Sequence, residues 1–359
     1  MMFINRDDNR GENNIEKLPL VSIIVLNWNG EQVIRPSLDS IRRLDYPNIE
    51  VIVVDNGSTD RSADIISKEF PDFRLLRNGK NLGFSGGMNV GIKECRGDLI
   101  VLYNNDAIAH PTSLSAMIKA IRSEEVGMVG GIILYAEPMN VIGSLGGKFD
   151  PITGVIWAEG HGKKLMVEKP EKGLIEDLDY VSGCVLLTKR DVINKIGLFD
   201  EQVILLGQDL DWCLKARRAG FRCALVPSAV IWHIGSHSFR RMPLRSYAER
   251  LKSDLQTITL HLPIIPMFSA LFFQIAIAPF FELYFYSQSD ISIHSRLQAR
   301  MRAFCENLKS LPDLMSKRKE IAMLGHLQLR PRTFELVKFA LFRAKSKEFY
   351  MGKILQKLE

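Results

Sequence analysis

Apolar residues in the first third of the chain come in short unbroken runs, each stopping at a polar cluster. VSIIVL (21–26) ends at NWNG, VIVV (51–54) at DNGSTD, and LIVLY (99–103) at NNDA. Runs of this length without alternation predict strands covered on both faces. Between them the period changes. Val33, Ile34, Leu38 and Ile41 fall on one face of a predicted helix from Glu31 to about Leu44, and a second helix begins near Arg61. A short strand near FRLL (73–76) leads to the Gly-rich NLGFSGGMNVG (81–91), which opens a third helix, and a fourth begins after Pro111. Alternation of strand and helix over 21–125 implies an α/β domain with a doubly wound, mostly parallel, Rossmann-like sheet.

The pattern loosens from 126 to about 180 into Gly-rich, hairpin-like pieces. It tightens at YVSGCVLLT (180–188), at the amphipathic GQDLDWCLKARRAG (207–220) and at FRCALVPSAVIWHIGSHS (221–238). Beyond Ser246 the chain reads as helical. Residues 255–281 contain no Asp, Glu, Lys or Arg. The expected division is a flexible terminus over 1–18, the α/β domain over 19–245, and a helical basic segment over 246–359 with an apolar stretch at 255–286.

Charge sharpens that division. The whole chain is +6, but residues 291–359 hold 15 Lys/Arg against 6 Asp/Glu, leaving −3 for the rest. A basic segment on a near-neutral body wants an anionic partner, lipid or nucleic acid. LQARMRAFCENLKSL (297–311) is amphipathic and suited to lying on anionic lipid, so a membrane surface is expected and nucleic acid is not. The run 255–281 exceeds the roughly 20 residues that span a bilayer, yet Pro263, Pro266, Pro279, His261 and Gln274 interrupt it. Interfacial or re-entrant attachment is therefore favoured over a single span or a buried helix. The five cysteines form no C-x-x-C pair and the first twenty residues hold no apolar h-region, so a reducing compartment and the cytoplasmic face of the membrane are expected.

Ligands of open α/β sheets bind beyond the carboxyl ends of the strands. Three polar clusters fall there: Asn27, Trp28 and Asn29; Asp55, Asn56 and Gly57; Asn104, Asn105 and Asp106. Asp55 suits a pyrimidine N3–H or a ribose hydroxyl, or it simply starts an Asx turn. The glycines of 81–91 match neither G-x-G-x-x-G nor a P-loop. They either let the backbone approach a ligand or permit tight strand–helix packing. Asp106 is the candidate ligand for Mg²⁺ or Mn²⁺, which shares its shell with phosphate and water, and His233 is a candidate to complete it. Asp209 and Asp211 open a helix, where each is either a cap or ion-pair partner or a general base.

VSIIVLNWNG, VIVVDNGSTD, NLGFSGGMNVG, YNNDA, SGCVLL, IGLFDEQ, QDLDWCLKARRAGF and VPSAVIWHIGSHS occur in the order found in family 2 glycosyltransferases of the GT-A fold. Residues 21–238 resemble that family, especially its rhamnosyltransferase-like branch. The resemblance implies an inverting transfer from a nucleoside-diphosphate sugar to a saccharide or lipid-linked acceptor, in building cell-surface polysaccharide or glycoconjugate. It implies that Asn27, Asn29 and Asp55 hold the nucleotide, that Asn81, Gly86 and Asn89 line the donor site with Asn104, that Asp106 binds the metal, and that Asp209 is the base. Two positions depart from the pattern: the D-x-D site reads Asn104-Asn105-Asp106, and the Glu-Asp pair reads Gln208-Asp209. A flap is expected at 236–245, with Arg240 and Arg241 near phosphate. The competing readings are a nucleotidyltransferase, which would want a Gly- and basic-rich loop where NWNG stands, and a non-catalytic, membrane-attached donor-binding or scaffold protein.

Overall fold

The computed structural model describes residues 18–138, 140–165, 173–201, 207–235, 243–280, 292–332 and 335. Its centre is a sheet in the order β3-β2-β1-β4-β10-β6-β11-β5, with β7 paired to β6. β1 (Val21–Asn27), β2 (Ile49–Asp55), β3 (Arg74–Arg77) and β4 (Leu99–Asn104) are mutually parallel. β10 (Val185–Lys189) runs antiparallel between β4 and β6 (Val126–Tyr135). β11 (Arg222–His233) is parallel to β6, and β5 (Ala107–Ala109) is antiparallel to β11. β7 is Ile142–Ser144, and β8 (Gly147–Phe149) and β9 (Ile156–Ala158) form a separate hairpin.

Both faces of the sheet are covered. Val21, Ile23 and Val25 of β1 enter one core with α1 (Ile34–Arg42), α2 (Ser62–Glu69) and α4 (Ser113–Ile121), while Ile24 enters the other. That second core holds α3 (Gly83–Glu94), α5 (Arg190–Ile196) and α6 (Gln208–Arg218). The uninterrupted apolar runs follow from this two-sided burial.

The C-terminal helices are not a detached segment. α7 (Pro243–His261) sends Ile258 and Leu262, just past its end, both fully buried, into the core that holds Ile24 and Ile52. The boundary expected at 245/246 therefore falls inside α7. α8 (Ile264–Phe272) continues through a π turn (Phe273–Ile277), and α9 (Ile293–Lys309) and α10 (Leu311–Ala322) pack beside α7. A helix end leaves carbonyls without partners. Here Arg218 donates to His261 O at 2.9 Å, and Arg318 donates to Thr259 O and Leu262 O.

α6 and α7 are joined by a buried polar cluster. His261 Nε2 is 2.8 Å from Asp211 Oδ1, and Lys215 Nζ is 2.7 Å from Asp211 Oδ2. His261 is fully buried, and its Nδ1 has no hydrogen-bond partner among the described residues. Burial pulls the imidazole pKa below its ordinary value, so the ring stays neutral and donates from Nε2. Asp211 is held below the carboxylate range by Lys215 and His261 against the opposing effect of burial. The pH dependence follows from these signs. A depressed histidine pKa means that below about pH 6.5 the unfolded chain takes up a proton that the folded one refuses. Stability should fall with pH from there by up to about 1.4 kcal/mol per unit. Asp211 adds its own loss only below about pH 4, the range of an unfolded aspartate. Denaturant titrations from pH 8 to pH 5, stepping across about one unit on each side of the histidine range, should show a steeper decline for the native chain than for His261→Gln. Parallel curves would remove His261 from this account.

Candidate active site

Three polar strand ends meet at one rim because β2, β1 and β4 are adjacent and in register. Asn27 is their hub and is fully buried. Its Nδ2 shares its two hydrogens among Asp55 Oδ1 at 3.0 Å, Ser62 Oγ at 2.9 Å and the more distant Ser58 Oγ at 3.2 Å, and its Oδ1 accepts from Asn105 Nδ2 at 3.0 Å. A Cβ on Gly30 would lie 2.3 Å from Asn27 Oδ1, so only glycine fits beneath this network. Asn27, expected to touch the nucleotide, is bonded to side chains of the rim, as a buried amide must satisfy its own donors and acceptor. Asp55 is 4% exposed and receives Ser58 N–H at 3.4 Å on its second oxygen. Asn29 sits at φ 49° at the exposed tip, its Oδ1 accepting Thr59 N–H at 2.8 Å.

The Gly-rich helix α3 is built for packing. A Cβ on Gly87 would meet Leu26 at 2.3 Å, and one on Gly91 would meet Ile24 at 2.3 Å, so α3 lies directly on β1. Its other side faces Phe199–Glu201. Asn89 Nδ2 donates to Phe199 O and Glu201 Oε1, Asn89 Oδ1 accepts Phe199 N–H at 3.0 Å, and Gly86 abuts Glu201. Gly86 and Asn89, expected in the donor site, thus hold the LFDE segment against α3 with their polar groups already committed. Asn81 remains exposed, its Oδ1 accepting from Gly83 N–H and Asn56 Nδ2.

Beyond β4 the rim opens into a cleft of about 340 Å³. Asn104, His233 and Asp209 are among its walls. Asp106 precedes β5, and His233 ends β11 directly opposite Ala107 in the ladder. That pairing brings together residues 127 positions apart, leaving His233 Nε2 3.1 Å from Asp106 Oδ1 with both side chains partly exposed. Asp209 lies in the first turn of α6, where the helix dipole favours negative charge. Its Oδ2 accepts Gly183 N–H at 3.0 Å and its Oδ1 accepts Leu210 N–H at 3.0 Å. Cys184 lies between the two acids. Burial, then the charges of Asp106 and Asp209, push its thiol well up, so it stays protonated and inert.

A hydrolase or a lyase would use a cleft with an acid at a helix start equally well. The sequence pattern of glycosyl transferase family 2 matches residues 22–197, which hold the locked rim and Asp106. Residues 22–197 form a glycosyltransferase family 2 domain. Among relatives, it is 30% identical over 241 residues to an uncharacterized protein of Sinorhizobium fredii, spanning 62% of this chain but only a quarter of that one. It is 26% identical over 223 residues to an N-acetylglucosaminyl-diphospho-decaprenol L-rhamnosyltransferase of Mycobacterium tuberculosis, covering 57% of this chain and 73% of that protein. A mannosyltransferase from Pyrobaculum calidifontis, solved with GDP-Man and Mn²⁺, shares the fold with TM-score 0.52 at 17% identity, over 93% of this chain and 88% of that one. The fold is therefore GT-A.

For a family 2 transferase the question is whether Asp106 and His233 suit a divalent cation. A carboxylate oxygen and an imidazole nitrogen fit Mn²⁺, and Mg²⁺ through the oxygen. Adjacent ligands of an octahedral ion with bonds near 2.1 Å lie about 3 Å apart, so the observed separation suits a shared ion as well as a hydrogen bond. No group of three or more metal-binding side chains occurs among the described residues, so an ion held by this pair would need phosphate and water for its remaining positions. The transferase cleft also has walls that the motifs did not single out. Tyr180 packs near Asp209, and burial with that negative charge keeps its phenol protonated. Arg250 and Asp254 of α7, paired at 2.9 Å, face the cleft with Thr257. Their i,i+4 spacing was visible in the sequence, but only the docking of α7 brings them to Asp209. The expected flap, with Arg240 and Arg241, lies largely outside the described residues.

Proposed function

We propose that this family 2 protein transfers a sugar from a nucleoside-diphosphate donor to a hydroxyl of a saccharide or lipid-linked acceptor, inverting the anomeric centre. One observation carries the reading: Asp209 and His233 line one cleft at the carboxyl rim of the sheet, and Asp106 stands behind His233, 3.1 Å from its Nε2. Asp209 takes the acceptor proton as its oxygen attacks, and the N–H groups of Gly183 and Leu210, one on each carboxylate oxygen, hold it in place. Asp106 and His233 would hold the cation, which supplies positive charge to the departing diphosphate. Asp55, Asn29 and Asn104 face the nucleotide side, with Asn81 beside them. Arg250, Asp254 and Tyr180 form the acceptor side, where a charged pair and a ring suit sugar hydroxyls and faces. Rhamnose is the favoured sugar, on the strength of the mycobacterial relative's name, with other hexoses next, and the acceptor is presented at the cytoplasmic leaflet.

Thermal shift against a panel of nucleotide sugars tests the reading. One donor with Mn²⁺ should raise the melting temperature by several degrees, and Asp106→Ala should abolish the part of the shift that depends on Mn²⁺. A saturating ligand at about 100 times its dissociation constant stabilises by about 2.7 kcal/mol, which such an assay resolves. No stabilisation by any nucleotide sugar, or a shift unchanged by chelator and by Asp106→Ala, would remove the donor site from this rim.

A further inference from the structure

α8 turns its apolar side outward. Ile264, Phe268 and Phe272 are each 64% exposed and Ile265 is 83% exposed. Ile264, Phe268 and Phe272 recur at spacings of four, so they stack as one row along the helix. The opposite side is where the helix is anchored. Ala270 is fully buried, Ser269 Oγ donates to Ile152 O at 3.0 Å, and Gln274 Nε2 donates to Thr153 O at 3.1 Å. A surface helix in water shows the reverse, with its apolar stripe on the core and its polar side out. α9 extends the patch. Arg300 Nη1 donates to Gln274 O at 2.8 Å, which sets α9 against the π turn, and Met301 and Arg302 are 61% and largely exposed beside it.

We infer that α8 lies in the interfacial layer of an anionic lipid bilayer, with Ile264, Phe268 and Phe272 in the acyl boundary. Charge decides for a bilayer over a protein partner. No charged residue occurs from 255 to 281, while residues 291–359 carry 15 Lys/Arg against 6 Asp/Glu. An uncharged apolar row flanked by a strongly basic segment matches the acyl and phosphate layers of a membrane face. No described helix is long and apolar enough to cross, so the contact is in the plane. The attachment is continuous with a wall of the cleft, because Leu262 and Pro263 join α8 directly to α7, whose Arg250, Asp254 and Thr257 line it. The docking stands apart from the transferase reading; only its link to a lipid-linked acceptor rests on it.

The test uses the full chain without donor or metal, so its outcome is separate from that of the donor panel. Binding is measured to vesicles of phosphatidylcholine alone and of equal parts phosphatidylcholine and phosphatidylglycerol. The native chain should bind the mixed vesicles more tightly. Phe268→Ser combined with Phe272→Ser should weaken binding about 100-fold, roughly tenfold for each ring withdrawn from the apolar layer. Both rings are exposed, so the melting temperature should not move. A Phe272→Trp variant should shift its emission to the blue on adding mixed vesicles. Absent binding to either vesicle, or undiminished binding by the double variant, would overturn the inference. A dimer that the double variant converts to monomer would overturn it in favour of a second copy of the chain.

Discussion

Asp209→Asn should lower the rate of sugar transfer by about two to four orders of magnitude while nucleotide affinity and stability stay close to those of the native chain. The amide keeps the size of the carboxylate and still accepts Gly183 N–H through its oxygen. What it loses is basicity, along with the acceptor that Oδ1 offers to Leu210 N–H. The measurement is single-turnover transfer alongside calorimetric titration of the nucleotide with Mn²⁺. Turnover within a factor of about ten of native would be less than the loss of a general base should cost and would move the proton transfer elsewhere.

Asp211→Asn, two positions along the same helix, should behave in the opposite way. Asp211 is 2% exposed and holds Lys215, itself 8% exposed, and the buried His261. Neutralising it strands an ammonium group in the interior, which costs about 3–5 kcal/mol when one partner of a buried pair is removed. Denaturant unfolding should show that loss, and Asp211→Asn with Lys215→Met should recover a large part of it. If the single variant is as stable as the native chain, the cluster does not join α6 to α7. In sequence both acids sit in QDLDW and both fit a cap, an ion pair or a base. The structure separates them by what faces each: a cleft for Asp209, a second helix for Asp211.

The same distinction explains what the sequence made legible. β1, β2, β4 and the α6 helix were readable because local pattern determines them: unbroken apolar runs mean a strand between two layers, and Gly220 ends α6. Asp106 and His233 were readable as candidates, but their meeting depends on the β5–β11 register, which no local pattern encodes. Asn27 and Asn89 looked like ligand residues because a polar side chain at a rim has the same letter whether it faces solvent or a neighbouring strand. Asn89 is buried, and its amide is bonded to Phe199 and Glu201. The stretch 255–281 is uniform in composition, yet Ile258 is fully buried and Ile265 is 83% exposed. Hydrophobicity alone places neither, since tertiary docking chooses which half of the run meets the sheet.

The antiparallel insertion of β10 also bears on how the chain is made. β3, β2, β1 and β4 are complete once residue 104 has been synthesised, but the strand that pairs with the far edge of β4 ends at residue 189. Those 85 residues take about 4–17 s at the usual rate of translation, and throughout that interval a parallel four-stranded sheet carries a bare, apolar edge. Val101 and Leu102, buried in the finished protein, sit on that edge strand. The nascent chain is thus most exposed to mispairing with other copies before β10 exists.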